Sequence, residues 1–205
     1  MKKLLIATTN LAKLEELLMR VKDLENQGIK ILTLSDVEVG DEEPEETGKT
    51  FKDNAKLKAR YYGTLTNLPT IADDGGLLIP YLNNEPGVKS KRWMGREATD
   101  KELINFTLSN LRGCTGTKRM AFLETCLCFY NPKTNKTIYE IEKIKGYIGL
   151  KSSGRPTDGY PYRALFIVDK YHKFYDELTM EEHQEVNHRI IALKRLTKRI
   201  TDLIL

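Results

Sequence analysis

Residues 2–34 read KKLLIATTNLAKLEELLMRVKDLENQGIKILTL, in which two short apolar runs flank a segment of helical periodicity. Leu4–Thr8 and Ile29–Leu34 each have the length and composition of a buried strand. Between them, after Asn10, leucine and valine recur every three or four residues, which is the spacing of an amphipathic helix, and Asn26–Gly28 ends it. The stretch therefore predicts strand–helix–strand, the opening of an α/β fold.

The rest of the chain continues to alternate between predicted strands and helices. Possible capping boxes at Thr50 and Thr99 predict two further helices, and a last helix is predicted from about Asn187 onward. Three further strands are predicted over Thr70–Ile79 (interrupted at Asp73–Gly76), Met120–Tyr130 and Thr137–Tyr147. We find no repeat and no long linker, so the 205 residues are expected to form a single domain.

Composition excludes several classes of protein. The chain is 40% hydrophobic and 30% charged, an ordinary globular balance. A net charge of +4 is far below the dense lysine and arginine content of a dedicated nucleic-acid binder, so no specific nucleic-acid partner is expected. No stretch approaches the roughly 18 apolar residues of a membrane span. The first apolar run stops at Ala7, too early for a secretory segment, so we expect a cytoplasmic protein.

The three cysteines do not suggest a disulfide framework, because their number is odd and small. Cys126 and Cys128 lie two residues apart in an apolar run, which places both on one face of a strand. A zinc site would require C-x-x-C spacing and a second pair. We therefore predict that both thiols are buried in the core.

The segment Thr8–Lys13 joins the first strand to the first helix. A helix N-terminus presents unpaired N–H groups and a positive dipole end, both of which suit a phosphate. Lys13, one turn into the helix, would add a full charge. The alternative is that Asn10 only caps the helix and that Lys13 is solvated; on this segment alone that alternative is favoured.

A second candidate segment is Asp73-Asp74-Gly75-Gly76. Two adjacent carboxylates at the edge of an apolar run need partners, and hard oxygen ligands of this kind suit Mg²⁺. The alternative is an Asp-Gly turn between two strands. Two weaker signals are the acidic run at residues 41–46, which most often would be a solvated loop, and His188-Arg189 at the start of the last helix.

Taken together and in this order, these segments resemble the inosine/xanthosine triphosphate pyrophosphatases. The resemblance is specific because its motifs are spaced along nearly the whole chain. They are Thr8, Asn10 and Lys13; Glu46–Phe51, Asn54, Ala55, Lys58 and Ala59; Pro69 and Ala72–Leu77; Pro86–Val88, Ser90, Arg92 and Trp93; and His188-Arg189.

This resemblance implies a two-lobed α/β fold with an elongated, twisted mixed sheet flanked by helices, an active-site cleft between the lobes, and a homodimer. It implies Mg²⁺ held by Glu46 and Asp74, with Asp73 beside them. Asp74 would also accept a proton from the water that attacks the α-phosphorus, and pyrophosphate would leave. The implied activity is hydrolysis of a nucleoside triphosphate to the monophosphate and pyrophosphate.

The resemblance also implies where the nucleotide binds. The residues expected at the phosphates are Thr8, Thr9, Asn10, Lys13, Lys58, Gly75, His188 and Arg189. Those expected around the base are Asp158, Gly159, Tyr160, Pro161, Tyr162 and Arg163. His183 occupies a position where the family has a lysine.

The base-reading segment departs from the family, in which it runs Gly-Phe-Gly-Tyr-Asp-Pro. Here Asp158 stands in place of the aromatic residue that stacks on the base, and Pro161 in place of the aspartate that reads its edge. One hypothesis is that Tyr160 or Tyr162 stacks on the base while Arg163 donates to a base carbonyl oxygen.

Two alternative functions remain open. One is a pyrophosphatase with a different or broader base preference, which the altered segment would favour. The other is a sensor that binds nucleotide without cleaving it. Retention of both Glu46 and Asp74 favours an enzyme, because a protein that only binds nucleotide has less need of two metal carboxylates.

Overall fold

The computed structural model of the protein describes residues 2–40, 43–157 and 159–204. Within these ranges strands and helices alternate along much of the chain. The strands are β1 Lys2–Ala7, β2 Ile29–Thr33, β3 Thr70–Ile79, β4 Glu85–Pro86, β5 Met120–Asn131, β6 Lys136–Ile148, β7 Phe166–Val168 and β8 Lys173–Phe174. The α-helices are α1 Leu11–Glu25, α2 Phe51–Thr66, α3 Asp100–Asn110, α4 Met180–Val186 and α5 His188–Ile204.

The strands form one open, mixed sheet in the order β2-β1-β3-β5-β6-β7-β8, with β4 paired to β3. β1 runs parallel to both β2 and β3. β4 is antiparallel to β3, and β7 is antiparallel to β6 and β8. The predicted α/β class with a mixed sheet and flanking helices is confirmed.

The chain divides into two compact units. The first takes in the chain up to Asp74, Thr125–Glu142 and the chain from His188 onward; the second takes in Gly75–Glu124 and Lys143–Asn187. Each unit has its own apolar core. In the first, side chains of β1, β3 and β5 pack against the apolar faces of α1 and α5. In the second, residues of α3 pack with those of β3, β5 and β7.

Most of the predicted elements are present. The predicted capping box at Thr99 is confirmed, since its hydroxyl accepts from the Glu102 amide while the Glu102 carboxylate accepts from the Thr99 amide. α2 begins behind Thr50 as predicted and runs to Thr66. The short helix α4 was not predicted.

The predicted interruption of β3 is wrong. Residues Asp73–Gly76 lie inside a continuous strand that runs from Thr70 to Ile79. The alternative of an Asp-Gly turn between two strands is therefore excluded, and both aspartates are held by extended backbone.

Both predictions of burial for the strand cysteines are confirmed. Cys126 and Cys128 are fully buried and free. Burial raises the pKa of the Cys128 thiol to about 12, so it behaves as a small apolar side chain. Over the described parts of the chain, none of the helices combines the length and apolar character needed to cross a membrane.

Candidate active site

Asp73 and Asp74 are adjacent in β3, and strand geometry sends their side chains to opposite faces of the sheet. Both residues are buried. Ile71, two residues before Asp73, belongs to the core against α1 and α5, so Asp73 shares that face. The two carboxylates therefore have different hydrogen-bond partners, although the charges of Lys13 and Lys58 act on both.

Asp73 lies among cationic side chains from the two helices on its face. Its Oδ2 atom is 3.2 Å from Lys13 Nζ and accepts a hydrogen bond of 3.1 Å from Arg189 Nε. Arg189 Nη1 also donates to the carboxylate of Glu16 on α1. Burial opposes ionisation of Asp73, but the charges of Lys13, Arg189 and Lys58 outweigh it and lower its pKa.

For the segment Thr8–Lys13, the alternative was that Asn10 caps the helix and that Lys13 is solvated. The first part of this alternative is correct and the second is not. Asn10 does cap the helix, since its Oδ1 accepts from the Lys13 amide at 3.1 Å. The Lys13 side chain, however, is only 15% exposed and ends at Asp73. Burial lowers the pKa of Lys13, and Asp73 opposes that shift. Lys13 is thus held against a buried acid instead of extending into solvent.

Asp74 faces α2 on the opposite side of the sheet. Its Oδ2 accepts a hydrogen bond of 3.1 Å from Asn54 Nδ2. The Oδ1 of the same Asn54 accepts from the Gly48 amide at 2.7 Å. One buried side chain therefore links the strand that carries Asp74 to the loop that carries Glu46.

Lys58 lies one helical turn beyond Asn54 and brings the two predicted metal ligands together. Its Nζ is 2.7 Å from Glu46 Oε1 and 3.9 Å from Asp74 Oδ1. Burial works against the charge on Lys58, but Asp74, Asp73 and Glu46 together raise its pKa. Burial raises the pKa of Asp74, and the charges of Lys58 and Lys13 partly offset that rise.

The residues at this position fit a divalent metal ion of the magnesium type. Glu46 and Asp74 offer hard carboxylate oxygens, and both approach the same cationic group, Lys58. Within the described ranges no group of three or more His, Cys, Asp or Glu residues forms a ready metal cage. Two carboxylates are enough for Mg²⁺, which usually keeps several waters and binds substrate phosphates as well.

Asp73 was predicted to stand beside these ligands. Its side chain contacts Lys13 and Arg189, and its charge also helps to raise the pKa of Lys58. Two cations on Oδ2 favour a role as the buried partner of Lys13 and Arg189. Its Oδ1 is buried and accepts no hydrogen bond within the described part of the chain.

The segment predicted to read the base lies in the second unit. Thr157 Oγ1 and the Gly159 amide both donate to Asp100 at the start of α3. Pro161 is buried and opens a short 3₁₀ turn that runs to Ala164. Asp158 lies outside the described residues.

Of the two tyrosines in this segment, Tyr162 packs in the interior of the protein. It is buried, its hydroxyl donates to the Ser90 carbonyl at 2.8 Å, and burial raises its pKa. Tyr160 is half-buried, and the Arg163 guanidinium lies 3.5 Å from the centre of its ring. Of these two residues, Tyr160 keeps the larger exposed surface.

The remaining predicted residues fall in different surroundings. Thr8 accepts a hydrogen bond from the Asn10 amide, whereas Thr9 is exposed. His188 is buried in the first turn of α5, beside Arg189. In the second unit, Gly75 continues β3, and His183 on α4 packs edge-on against the Tyr175 ring.

Two residues in the site were missing from the sequence-based set. Asn54 is four residues before Lys58 and Glu16 three residues after Lys13, which puts each on the same helix face as a predicted phosphate ligand. That shared helix face was the available signal.

Comparison with known proteins shows the family of this chain. The sequence model of the Ham1 family matches residues 4–199. A dITP/XTP pyrophosphatase of Listeria innocua is 35% identical over 205 residues, which is the whole of this chain and 97% of that protein. One from Legionella pneumophila is 32% identical over 203 residues, covering 98% of this chain and all of that protein.

Solved structures give the same result. A HAM1 protein from Coxiella burnetii has a TM-score of 0.85 at 32% identity, and the Ham1 protein of Staphylococcus aureus has 0.84 at 28%. Both comparisons cover 98% of this chain and all of the other. The resemblance found in the sequence is confirmed, and this chain belongs to the Ham1 family.

Proposed function

We propose that this protein hydrolyses nucleoside triphosphates, of the inosine and xanthosine type, to the nucleoside monophosphate and pyrophosphate, and so removes non-standard purines from the nucleotide pool. The observation that carries the proposal is the meeting of Glu46 and Asp74 at Lys58, next in the chain to Asp73, which holds Lys13 and Arg189. The names of its relatives, dITP/XTP pyrophosphatases, support the same activity.

We propose Mg²⁺ as the cofactor, held by Glu46 and Asp74. When bound, the ion would polarise the phosphoryl group and neutralise charge on the departing pyrophosphate. A triphosphate brings about four negative charges, which two carboxylates could not face without a cation between them.

The chain's own residues would orient the substrate and accept the proton. Lys58 and Lys13 would contact the phosphate oxygens, together with Thr8 and the backbone at the start of α1. Water would form the new bond to the α-phosphorus as the bond from phosphorus to the bridging oxygen breaks. Asp74 would take a proton from that water.

The test is product analysis on a panel of inosine, xanthosine, guanosine, adenosine and pyrimidine triphosphates, with and without Mg²⁺. We expect monophosphate and pyrophosphate, fastest from the inosine and xanthosine compounds and only with metal. Release of orthophosphate and a diphosphate would contradict the proposal. Nucleotide binding without turnover of any compound would favour the sensor.

Base selection is proposed to depend on Tyr160 and Arg163. Tyr160 is only half-buried, and Arg163 is a good donor to a purine carbonyl oxygen. We expect Arg163→Ala to reduce the preference for inosine over adenosine triphosphate, measured as the ratio of kcat/KM values. An unchanged ratio would remove Arg163 from base recognition and leave the chemistry at Asp74 unaffected.

The charges on the last helix support a small anionic substrate over a nucleic acid. Arg195 donates to Glu140 and Glu142, and Arg199 pairs with Glu140, so part of the basic face is neutralised by the protein itself.

The active form is proposed to be a cytoplasmic homodimer, as the family resemblance implies. Light scattering at two protein concentrations would test the dimer.

A further inference from the structure

Lys58 occupies an unusual position for a phosphate-binding lysine, because its ammonium group already pairs with carboxylates of the protein. Its ammonium donates a hydrogen bond of 2.7 Å to Glu46 and lies 3.9 Å from Asp74. The Lys58 side chain is only 16% exposed. Those two carboxylates are the proposed metal ligands, so the same oxygens have two prospective cationic partners.

An ammonium and a divalent ion cannot both sit against the same carboxylate oxygens without strong repulsion. The repulsion between a charge of +1 and one of +2 is twice that between two single charges at the same separation. The lysine side chain has a flexible four-carbon stem, so its ammonium can move while the α2 backbone remains in place.

The surroundings of Glu46 also indicate that its carboxylate does not need to move. The Gly48 amide is fixed by Asn54, which itself bonds to Asp74. A Cβ at Gly48 would come within 2.9 Å of the Asn54 backbone nitrogen, so this loop packs closely on the start of α2. The loop beside Glu46 is therefore held in place, and the flexible stem of Lys58 allows its ammonium to be the group that moves.

We propose that Lys58 is a built-in substitute for the metal: it neutralises Glu46 and Asp74 when nucleotide is absent, and moves from Glu46 to the substrate's phosphate oxygens when metal and nucleotide bind together. This inference rests on the proposed function. Its consequence is that metal alone binds weakly, because it must displace Lys58, whereas nucleotide offers the displaced ammonium a new anionic partner. Metal and nucleotide would then each strengthen binding of the other.

The test is binding of Mn²⁺ to the nucleotide-free protein, measured from the electron paramagnetic resonance signal of the free ion. Lys58→Met keeps the length of the side chain and removes the competing charge. We expect Mn²⁺ to bind on the order of tenfold more tightly or better to this variant than to the wild type. Lys56→Met is the matched control, since Lys56 is an exposed lysine on the same helix, and its affinity should match the wild type.

The variant Glu46→Gln distinguishes a failure of the inference about Lys58 from a failure of the proposed metal site. If Glu46→Gln weakens Mn²⁺ binding while Lys58→Met leaves it unchanged or weaker, the substitution role of Lys58 is overturned and the metal site stands. Mn²⁺ binding undetectable in both wild type and Lys58→Met at millimolar concentrations would also overturn it. If Glu46→Gln binds Mn²⁺ as the wild type does, the proposed metal site itself is wrong.

Discussion

Asn54 holds both proposed metal ligands in place through a single buried amide. It donates to Asp74 and accepts from Gly48, two residues from Glu46. Both bonds are made to the protein itself, so we assign Asn54 a positioning role. Residues of this kind behind a metal site typically account for a 10–100-fold change in metal affinity or activity.

Asn54→Ala should therefore impair metal use more than folding. We expect the Mg²⁺ concentration for half-maximal turnover to rise by about tenfold or more. Loss of two buried hydrogen bonds should also lower the free energy of unfolding by about 1–3 kcal/mol. Asn105→Ala, which removes an exposed asparagine from the interior of α3, is the control and should change neither quantity. An unchanged Mg²⁺ requirement in Asn54→Ala would contradict the positioning role.

At the scale of single residues, the sequence predicted which residues come together in the site more accurately than it predicted their side-chain contacts. Glu46, Asp74 and Lys58 were all expected at one site, and they do converge. Asp73 was grouped with Asp74 because they are adjacent. Adjacent residues of a strand point their side chains to opposite faces of the sheet. This rule could not be applied from the sequence alone, because the same two aspartates were also compatible with a turn.

Helix α5 carries two kinds of ion pair, and they should contribute very differently to stability. Arg189 is buried and bonds to Asp73 of β3 and Glu16 of α1. Arg199, three turns later, is exposed and pairs with Glu140. Removing one partner of a buried pair leaves a buried charge uncompensated, whereas exposed pairs contribute little.

We expect Arg189→Met to lower the free energy of unfolding by about 3–5 kcal/mol. Arg199→Met, the control on the same helix, should lower it by no more than about 1 kcal/mol. Urea denaturation followed by circular dichroism measures both. Equal effects of the two substitutions would show that the buried network does not stabilise the packing of α1 and α5 on the sheet.

The long elements were predictable because each has its own periodicity or cap. The helical spacing after Asn10 and the capping box at Thr99 both mark true helix starts. The seven-residue helix α4 and the short strands β7 and β8 are set by packing within the second unit, and they are too short to show a period.

For the whole molecule, the sequence indicated the α/β class and the family but not the strand order. The opening strand–helix–strand predicted the parallel pair β1 and β2. The position of β3 beside β1 depends on pairing between residues far apart in the chain, which local patterns do not encode. Base preference is likewise not determined, because residues 157–163 depart from the family motif.

The central proposal is that Glu46 and Asp74 would hold a metal ion and that Asp74 would accept a proton from the water that attacks the α-phosphorus. The most direct measurement is phosphorus NMR of inosine triphosphate hydrolysis in ¹⁸O-labelled water with Mg²⁺, for the wild type and for Asp74→Asn. The account predicts pyrophosphate without label, inosine monophosphate carrying one ¹⁸O, and a rate for Asp74→Asn lower by roughly 10²-fold or more. Label in the pyrophosphate, or a variant that retains the wild-type rate, would contradict it.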